Sequence, residues 1–317
     1  FAYIYGFIMK YCTDLVIVNS SWTEKHMLNI LQYVGGNKPV TKIYPPCNTT
    51  ELLCNTNNRN NASSSNNNSS STSSSNNSSS TRTPCIISIG QFRPEKDHLL
   101  QINAFHTLLV KYKHHRNNKN IRMLIIGSVR NEGDERILRQ CKDRIKELSA
   151  LSECHDGQDD LDFENRIQLK VNVEYSEIID AVRNVGCVGL HTMWNEHFGI
   201  SVVEMLAAGL MVVAHNSGGP MMDIITDIAL GLNSSNTLYN GFLASSPDEY
   251  ADCMSLALDI YLRSDHPSMD LAANPNPSPS IASYQQFISD ATDSIDSRFS
   301  DETFKDDMCS AFAPFLE

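Results

Sequence analysis

Apolar residues fall into two rhythms along this chain. One is the near-continuous run: Leu15-Val16-Ile17-Val18 between Asp14 and Asn19, Cys85 to Gly90, Ile121 to Gly127, Gly186 to His191 and Leu210 to Ala214, with Arg166 to Val171, interrupted by Gln168 and Lys170, also expected as a strand. A run without polar breaks suits a strand covered on both faces of a parallel sheet. The other rhythm is recurrence every three or four residues. It predicts helices from about Trp22 to Leu31, His98 to Tyr112, Asp134 to Ala150, Ser176 to Asn184 and Pro247 to Leu262, with a further amphipathic stretch from Tyr284 to Phe315. Shorter strands are expected at Val40 to Tyr44, closed by Pro45-Pro46, and at Tyr239 to Ala244. Strand and helix alternate, so the pattern predicts an α/β fold, a doubly wound sheet with ligands at the carboxyl ends of its strands.

Three stretches break the rhythm. From Asn55 to Thr83 the chain is almost only Asn, Ser and Thr, too poor in apolar groups to offset the entropy of ordering, and a disordered insertion is expected. Glu153 to Asp162 is acidic and lacks the glycine and terminal glutamate of a calcium loop, so it reads as a solvated loop. Ser264 to Ser283, with four prolines from Pro267 to Pro279, reads as a connector. The expected division is 1–45, 46–84 with the insertion, a main α/β unit over 85–263, the connector 264–283 and a helical tail 284–317.

Composition narrows the partners. Among 317 residues, 37 acids against 25 bases give a net charge of −12, which argues against a nucleic-acid partner. Nine cysteines without a Cys-x-x-Cys pair fit neither a disulfide framework nor a zinc site, and reduced thiols are expected. The opening FAYIYGFIMK is too short to span a bilayer, which takes about 20 residues per helix.

Candidate chemistry gathers after the strands. In NEHFGISVVEMLAAG, seven residues separate Glu196 from Glu204, and Gly199-Ile200-Ser201 reads as a helix start whose free N–H groups attract phosphate. Two acids around an anion site suit a sugar nucleotide, with hydroxyls at both ends and a diphosphate between. The competing reading is a capping box, Ser201 with Glu204 three residues on. Gly90 ends one strand and is followed by Arg93 and Lys96, a phosphate-loop arrangement, or else a surface loop in which Arg93 pairs with Glu95. Gly127 ends the next strand. Gly218-Gly219 follows another and lets backbone approach a ligand, or is an ordinary tight turn, with Asp223 just beyond.

With these residues in view, the chain resembles the retaining GT-B glycosyltransferases that carry two glutamates seven residues apart. Within them it is most similar to the GDP-mannose-dependent α-1,2-mannosyltransferases of asparagine-linked glycosylation. The phrases that carry this are VNSSWT at 18–23, YPPC at 44–47, SIGQFRPEK at 88–96, LIIGSVRN at 124–131, GLHTMWNEHFGISVVEMLAAG at 189–209, AHNSGGP at 214–220 and SRFSD at 297–301. The resemblance implies a Rossmann-like C-terminal donor domain preceded by only the end of a Rossmann-like acceptor domain. It implies transfer of mannose from GDP-mannose to a dolichol-diphosphate-linked Man3GlcNAc2 oligosaccharide on the cytosolic face of the endoplasmic reticulum membrane, where other mannosyltransferases are possible partners. Glu196 would contact the hexose and Glu204 the ribose. Lys96 and Arg93 would meet the diphosphate, and Gly199 to Ser201, with His197 and Phe198 before them, would line the donor, with Gly90, Gly127, Gly218 and Gly219 in the flanking loops. No metal or other cofactor is implied, and no Asp-x-Asp cluster lies beside these loops. Gln91 stands where the family's first phosphate cation usually follows the glycine, and Met221-Met222 where a lysine is usual. A donor-binding module or partner subunit without activity of its own is the alternative.

Overall fold

The computed structural model describes residues 2–36, 38–53, 82–153, 161–228, 238–265 and 284–316. The Asn/Ser insertion, the acidic loop and the Pro-rich connector lie largely outside the described residues.

The chain begins with a helix, α1 (Ala2–Cys12), then β1 (Val16–Val18), α2 (Ser21–Tyr33), β2 (Val40–Lys42) and the short α3 (Thr49–Leu53). β1 and β2 pair in parallel, Val16 opposite Val40. Ser20 caps α2, accepting from the N–H of Thr23 at 3.1 Å. Met9, Val16, Val18, Met27 and Leu31 form a small core of their own. β1 departs from expectation, because Ile17 is 37% exposed and the strand is covered on one face only. A two-stranded sheet has one packed side, so an unbroken apolar run does not guarantee two.

The main unit follows: β3 (Cys85–Ile89), α4 (His98–Lys111), α5 (Lys113–Asn117), β4 (Arg122–Gly127), α6 (Glu132–Glu153), β5 (Ile167–Val171), α7 (Tyr175–Asp180), β6 (Val188–Leu190), α8 (Ile200–Ala207), β7 (Met211–His215), β8 (Asp227–Ile228), β9 (Leu238–Tyr239), β10 (Phe242–Ala244) and α9 (Pro247–Asp265). Two helices end the chain, α10 (Tyr284–Phe299) and α11 (Asp301–Phe312). Six parallel strands lie in the order β10-β7-β6-β3-β4-β5.

Successive side chains of a strand point to opposite faces. Ile86, Met123, Ile125, Val188, Leu190, Met211 and Val213 pack with α4, α6 and α9 on one face. Ile87, Leu124, Ile126, Val212 and Ala214 pack with α8 and α10 on the other. Both sets are apolar, which is why these strands read as unbroken runs. The buried stripe of α10, Phe287, Ile288, Ala291, Ile295 and Phe299, runs from the first cluster, which Phe287 and Ile288 join, to the second, which Ile295 and Phe299 join.

Strand order fixes where a ligand can sit. From β3 the sheet grows outward through β4 and β5, and then the chain crosses back to lay β6 on the other side of β3. The crevice at the carboxyl ends of β3 and β6 is therefore the switch point of the sheet, the usual ligand position in doubly wound folds.

Candidate functional site

Lys96 comes from the loop after β3 and Glu196 from the loop after β6, the two strands that flank the switch point. Their side chains meet there, Lys96 Nζ to Glu196 Oε2 at 2.8 Å. The approach of Lys96 is set by a short 3₁₀ turn, Pro94–Lys96, and by Asp97, which is left-handed at φ 46° and caps α4 by accepting from the N–H of Leu100. Gly90 lies under the lysine stem. Gly127 packs on the carbonyl of Gly90, so that any side chain there would displace the loop.

Glu196 is committed on both oxygens. Oε1 accepts from the N–H of His197 at 3.1 Å and Oε2 takes Lys96. His191, at the end of β6 and buried, places Nε2 3.5 Å from the same Oε2. That is long for a hydrogen bond, and neither ring nitrogen of His191 has a hydrogen-bond partner among the described residues, so Lys96 carries the direct pairing. Burial would raise the Glu196 carboxyl, but His191 and Lys96 outweigh it and hold the group down to about 2.

The turn after β7 cradles this loop from below. Ser217 Oγ accepts from the N–H of Asn195 at 2.8 Å and stands 2.9 Å from His215 Nδ1, and the N–H of Gly219 donates to the Glu196 carbonyl at 2.8 Å. Gly218 is left-handed at φ 63°, and a Cβ on either Gly218 or Gly219 would strike the backbone of residues 195–198. The glycine pair is thus needed for backbone against backbone, beneath Glu196.

α8 begins at Gly199, whose φ of 110° no side-chain-bearing residue adopts comfortably. The N–H groups of Ile200 and Ser201 find no acceptor among the described residues, which leaves a helix start of the kind that attracts anions, four residues after Glu196. With Gly199 as cap, Ser201 is the second residue of the helix, and the capping-box geometry is absent. Glu204 stands in the second turn, half-buried, and its carboxylate accepts no hydrogen bond among the described residues. Burial raises its pKa. A carboxylate buried without a partner is costly unless a ligand supplies donors.

Other expected residues lie elsewhere. Arg93 points to solvent and pairs with Glu95, Nε to Oε1 at 3.1 Å, and so stays out of the crevice. Phe198 turns inward against Tyr44 and Phe299, leaving only its backbone for a ligand. His197 stacks on Trp22 of α2 at 4.6 Å between centroids, and Trp22 stacks in turn on His26. Sequence reasoning did not single out His191, nor the role of Ser217, nor the partners of Asp223. The first had one signal, a lone histidine ending an apolar strand beside the acid loop. The seven described cysteines are all free thiols. Among the described residues, His114, His115 and Asp259 are close enough to share a cation, but they lie at the amino edge of the sheet, opposite the crevice, where Ser255 already bonds His115 at 2.9 Å.

The sequence matches the family described as "Glycosyl transferases group 1" over residues 70–264. The human protein named GDP-Man:Man(3)GlcNAc(2)-PP-Dol alpha-1,2-mannosyltransferase is 36% identical over 260 residues, 82% of this chain and 44% of that protein. The Xenopus tropicalis protein of the same name is 32% identical over all of this chain and 51% of its own length. The chain thus spans about half the length of the curated relatives it matches. Among solved structures, a glycosyltransferase from Rickettsia africae superposes with a TM-score of 0.65 at 16% identity, covering 100% of this chain and 67% of that one. Anabaena Alr3699/HepE in complex with UDP gives 0.64 at 14%, covering 99% and 67%. Sheet order, loop positions and sequence agree, and the chain belongs to the glycosyl transferases group 1 family.

Proposed function

We propose that this chain binds the donor of a retaining α-1,2-mannosyl transfer, with GDP-mannose as donor and a dolichol-diphosphate-linked Man3GlcNAc2 oligosaccharide as acceptor. The observation that carries it is the meeting of Lys96 and Glu196 across the switch point, beside a helix start with free N–H groups. The names of the relatives support the choice of sugar, nucleotide and acceptor.

On this reading the diphosphate lies against Ile200 and Ser201, Lys96 faces it as a point charge, Glu196 takes hexose hydroxyls, and Glu204 takes the ribose. As the anomeric carbon becomes cation-like, the leaving diphosphate gains negative charge. Lys96 and the helix start are already in place to stabilise that charge, the largest contribution in many such sites. Glu196 is ionised throughout the neutral range and accepts from hydroxyls without a prior proton loss. The same reading puts the reaction on the cytosolic face of the endoplasmic reticulum membrane, where such a lipid-linked acceptor is available. No described helix is long and apolar enough to cross a membrane.

Calorimetry with GDP-mannose, GDP and UDP-glucose tests the donor, and product analysis with the lipid-linked acceptor tests the transfer. Equal affinity for the guanine and uracil nucleotides would overturn the donor assignment. Release of free mannose without elongation of the acceptor would overturn the transfer.

A further inference from the structure

Asp223 is 1% exposed, yet it has no role in the site as described above. Its carboxylate is a hub for the first part of the chain. The N–H of Ser21 donates to Oδ2 at 2.8 Å, Ser21 Oγ to Oδ1 at 2.5 Å, Tyr44 OH to Oδ1 at 2.8 Å, and Lys42 Nζ pairs with Oδ1 at 3.4 Å. These partners lie 179 to 202 positions away, on the first turn of α2, the end of β2 and the residues beyond it. Every partner is a donor, so the site calls for an acceptor-only group, and a carboxylate is the side chain that meets this.

The turn that holds Asp223, Pro220–Ile224, continues directly from the glycine pair beneath Glu196. Gly219 donates to the Glu196 carbonyl, and Pro220 and Ile224 pack within 3.3 and 3.4 Å of where a side chain on Gly199 would begin. From the other side, Arg298 of α10 bonds the Asp223 carbonyl and reaches Thr226 Oγ1 at 3.1 Å. One residue after Ser21, Trp22 stacks on His197, which follows Glu196. Two consecutive residues of α2 thus reach the Glu196 loop by separate routes, one through Asp223 and one by ring stacking.

We infer that Asp223 is a positioning residue: it ties the α2–β2 segment to the 217–220 turn and thereby sets the placement of the Glu196 loop. The consequence for a sugar ligand rests on the donor-site reading above, whereas the coupling itself is a property of the unliganded chain. Asn at 223 has one acceptor oxygen where the carboxylate has two, and its NH2 would meet the Lys42 ammonium or the Ser21 N–H, which only donate, or force a hydroxyl to turn and accept, so Asp223→Asn breaks up the hub without changing its size.

The test is hydrogen exchange on the full 317-residue chain without ligand, followed by calorimetry. Asp223→Asn is expected to speed exchange at the amides of Asn195, His197 and Gly219 by about tenfold or more while the β3 and β4 amides stay unchanged, as local opening does. Lys42→Met, which removes the Lys42 contacts with Asp223 and Ser21 Oγ but keeps the Ser21 and Tyr44 bonds to Asp223, is expected to act in the same direction more weakly. It decides the matter if Asp223→Asn fails to fold. In calorimetry Asp223→Asn is expected to reduce GDP-mannose affinity about tenfold and GDP affinity less than about twofold, because the lost placement is that of the hexose acid. In a Glu196→Gln background the extra loss is expected to vanish. Unchanged exchange at 195, 197 and 219, acceleration of the whole sheet in step, or equal losses for GDP and GDP-mannose would each overturn the inference. The expected exchange pattern in a chain that binds no GDP-mannose would uphold the coupling and defeat the donor reading instead.

Discussion

Lys96 and Glu196 stand 100 positions apart in the chain and meet at 2.8 Å over the switch point of the sheet. The pair is partly buried, in a setting where losing one partner leaves the other poorly solvated. Because its carboxyl is held down to about 2, below the ordinary value of 4.5, Glu196 favours the folded state wherever it is ionised. That contribution is complete above about 4.5 and is lost as pH falls toward 2. Thermal or denaturant unfolding of wild type and Glu196→Gln between pH 7 and pH 2 checks this. The stability gap between them is expected to be constant from pH 7 to 5 and to close below pH 4.5.

The two cations of the β3 loop are expected to separate. Lys96 faces the crevice, whereas Arg93 is tied to Glu95 on the surface, where such pairs contribute about 0–1 kcal/mol to stability. Lys96→Met should weaken GDP binding by roughly 10-fold or more, the worth of a charge-assisted hydrogen bond of ~1.5–3 kcal/mol. Arg93→Met should change it by less than about threefold. Calorimetry with GDP on both variants decides it, and equal losses would show that Arg93 swings into the crevice when nucleotide arrives.

Much of this was legible in the sequence for physical reasons. Strands covered on both faces leave unbroken apolar runs, so β3, β4, β6 and β7 were readable, and the loops after them could be placed at one edge of the sheet. Lys96 and Glu196 followed from that placement. What the sequence left open depends on contacts with no local signature. The pairing of Arg93 with Glu95 was one of two readings, and only side-chain direction chooses between them. Asp223 was visible as an acid after two glycines, yet its partners come from Ser21, Lys42 and Tyr44. Ile17 was read as buried because an apolar run does not report how many layers cover it. The capping box at Ser201 and Glu204 failed because Gly199, with its positive φ, starts the helix two residues earlier.

Gly219 offers a test of the cradle under Glu196. A methyl group there would strike the carbonyls of His197 and Phe198, which are backbone atoms that cannot yield without moving the acid loop. Gly219→Ala should therefore cost about 1–3 kcal/mol of stability, as overpacking does. On the donor reading it should also weaken GDP-mannose more than GDP, since the displaced loop carries Glu196, the acid proposed to face the hexose. Melting temperature and paired calorimetry check both halves. An alanine variant as stable as wild type would mean that the 195–198 backbone is free to move.

Glu204 poses the opposite case, a half-buried carboxylate with no hydrogen-bond donor among the described residues. Its raised pKa means that ionisation disfavours the folded state, a cost that appears as pH rises through the ordinary value of 4.5 and persists at neutrality. Glu204→Gln should remove that cost, so the unliganded variant is expected to be at least as stable as wild type at pH 7 and to lose the advantage below pH 4. A ribose bound by Glu204 would donate hydroxyl hydrogen bonds to the charged acceptor, and the amide is a weaker one. GDP affinity should then fall by roughly 10-fold, near the lower end of ~1.5–3 kcal/mol for hydrogen bonds to a charged group. Stability gained in the free chain and affinity lost for nucleotide, measured on the same variant, would mark Glu204 as a residue kept for its ligand. A stability loss at pH 7 with unchanged GDP affinity would make it a packing residue of α8.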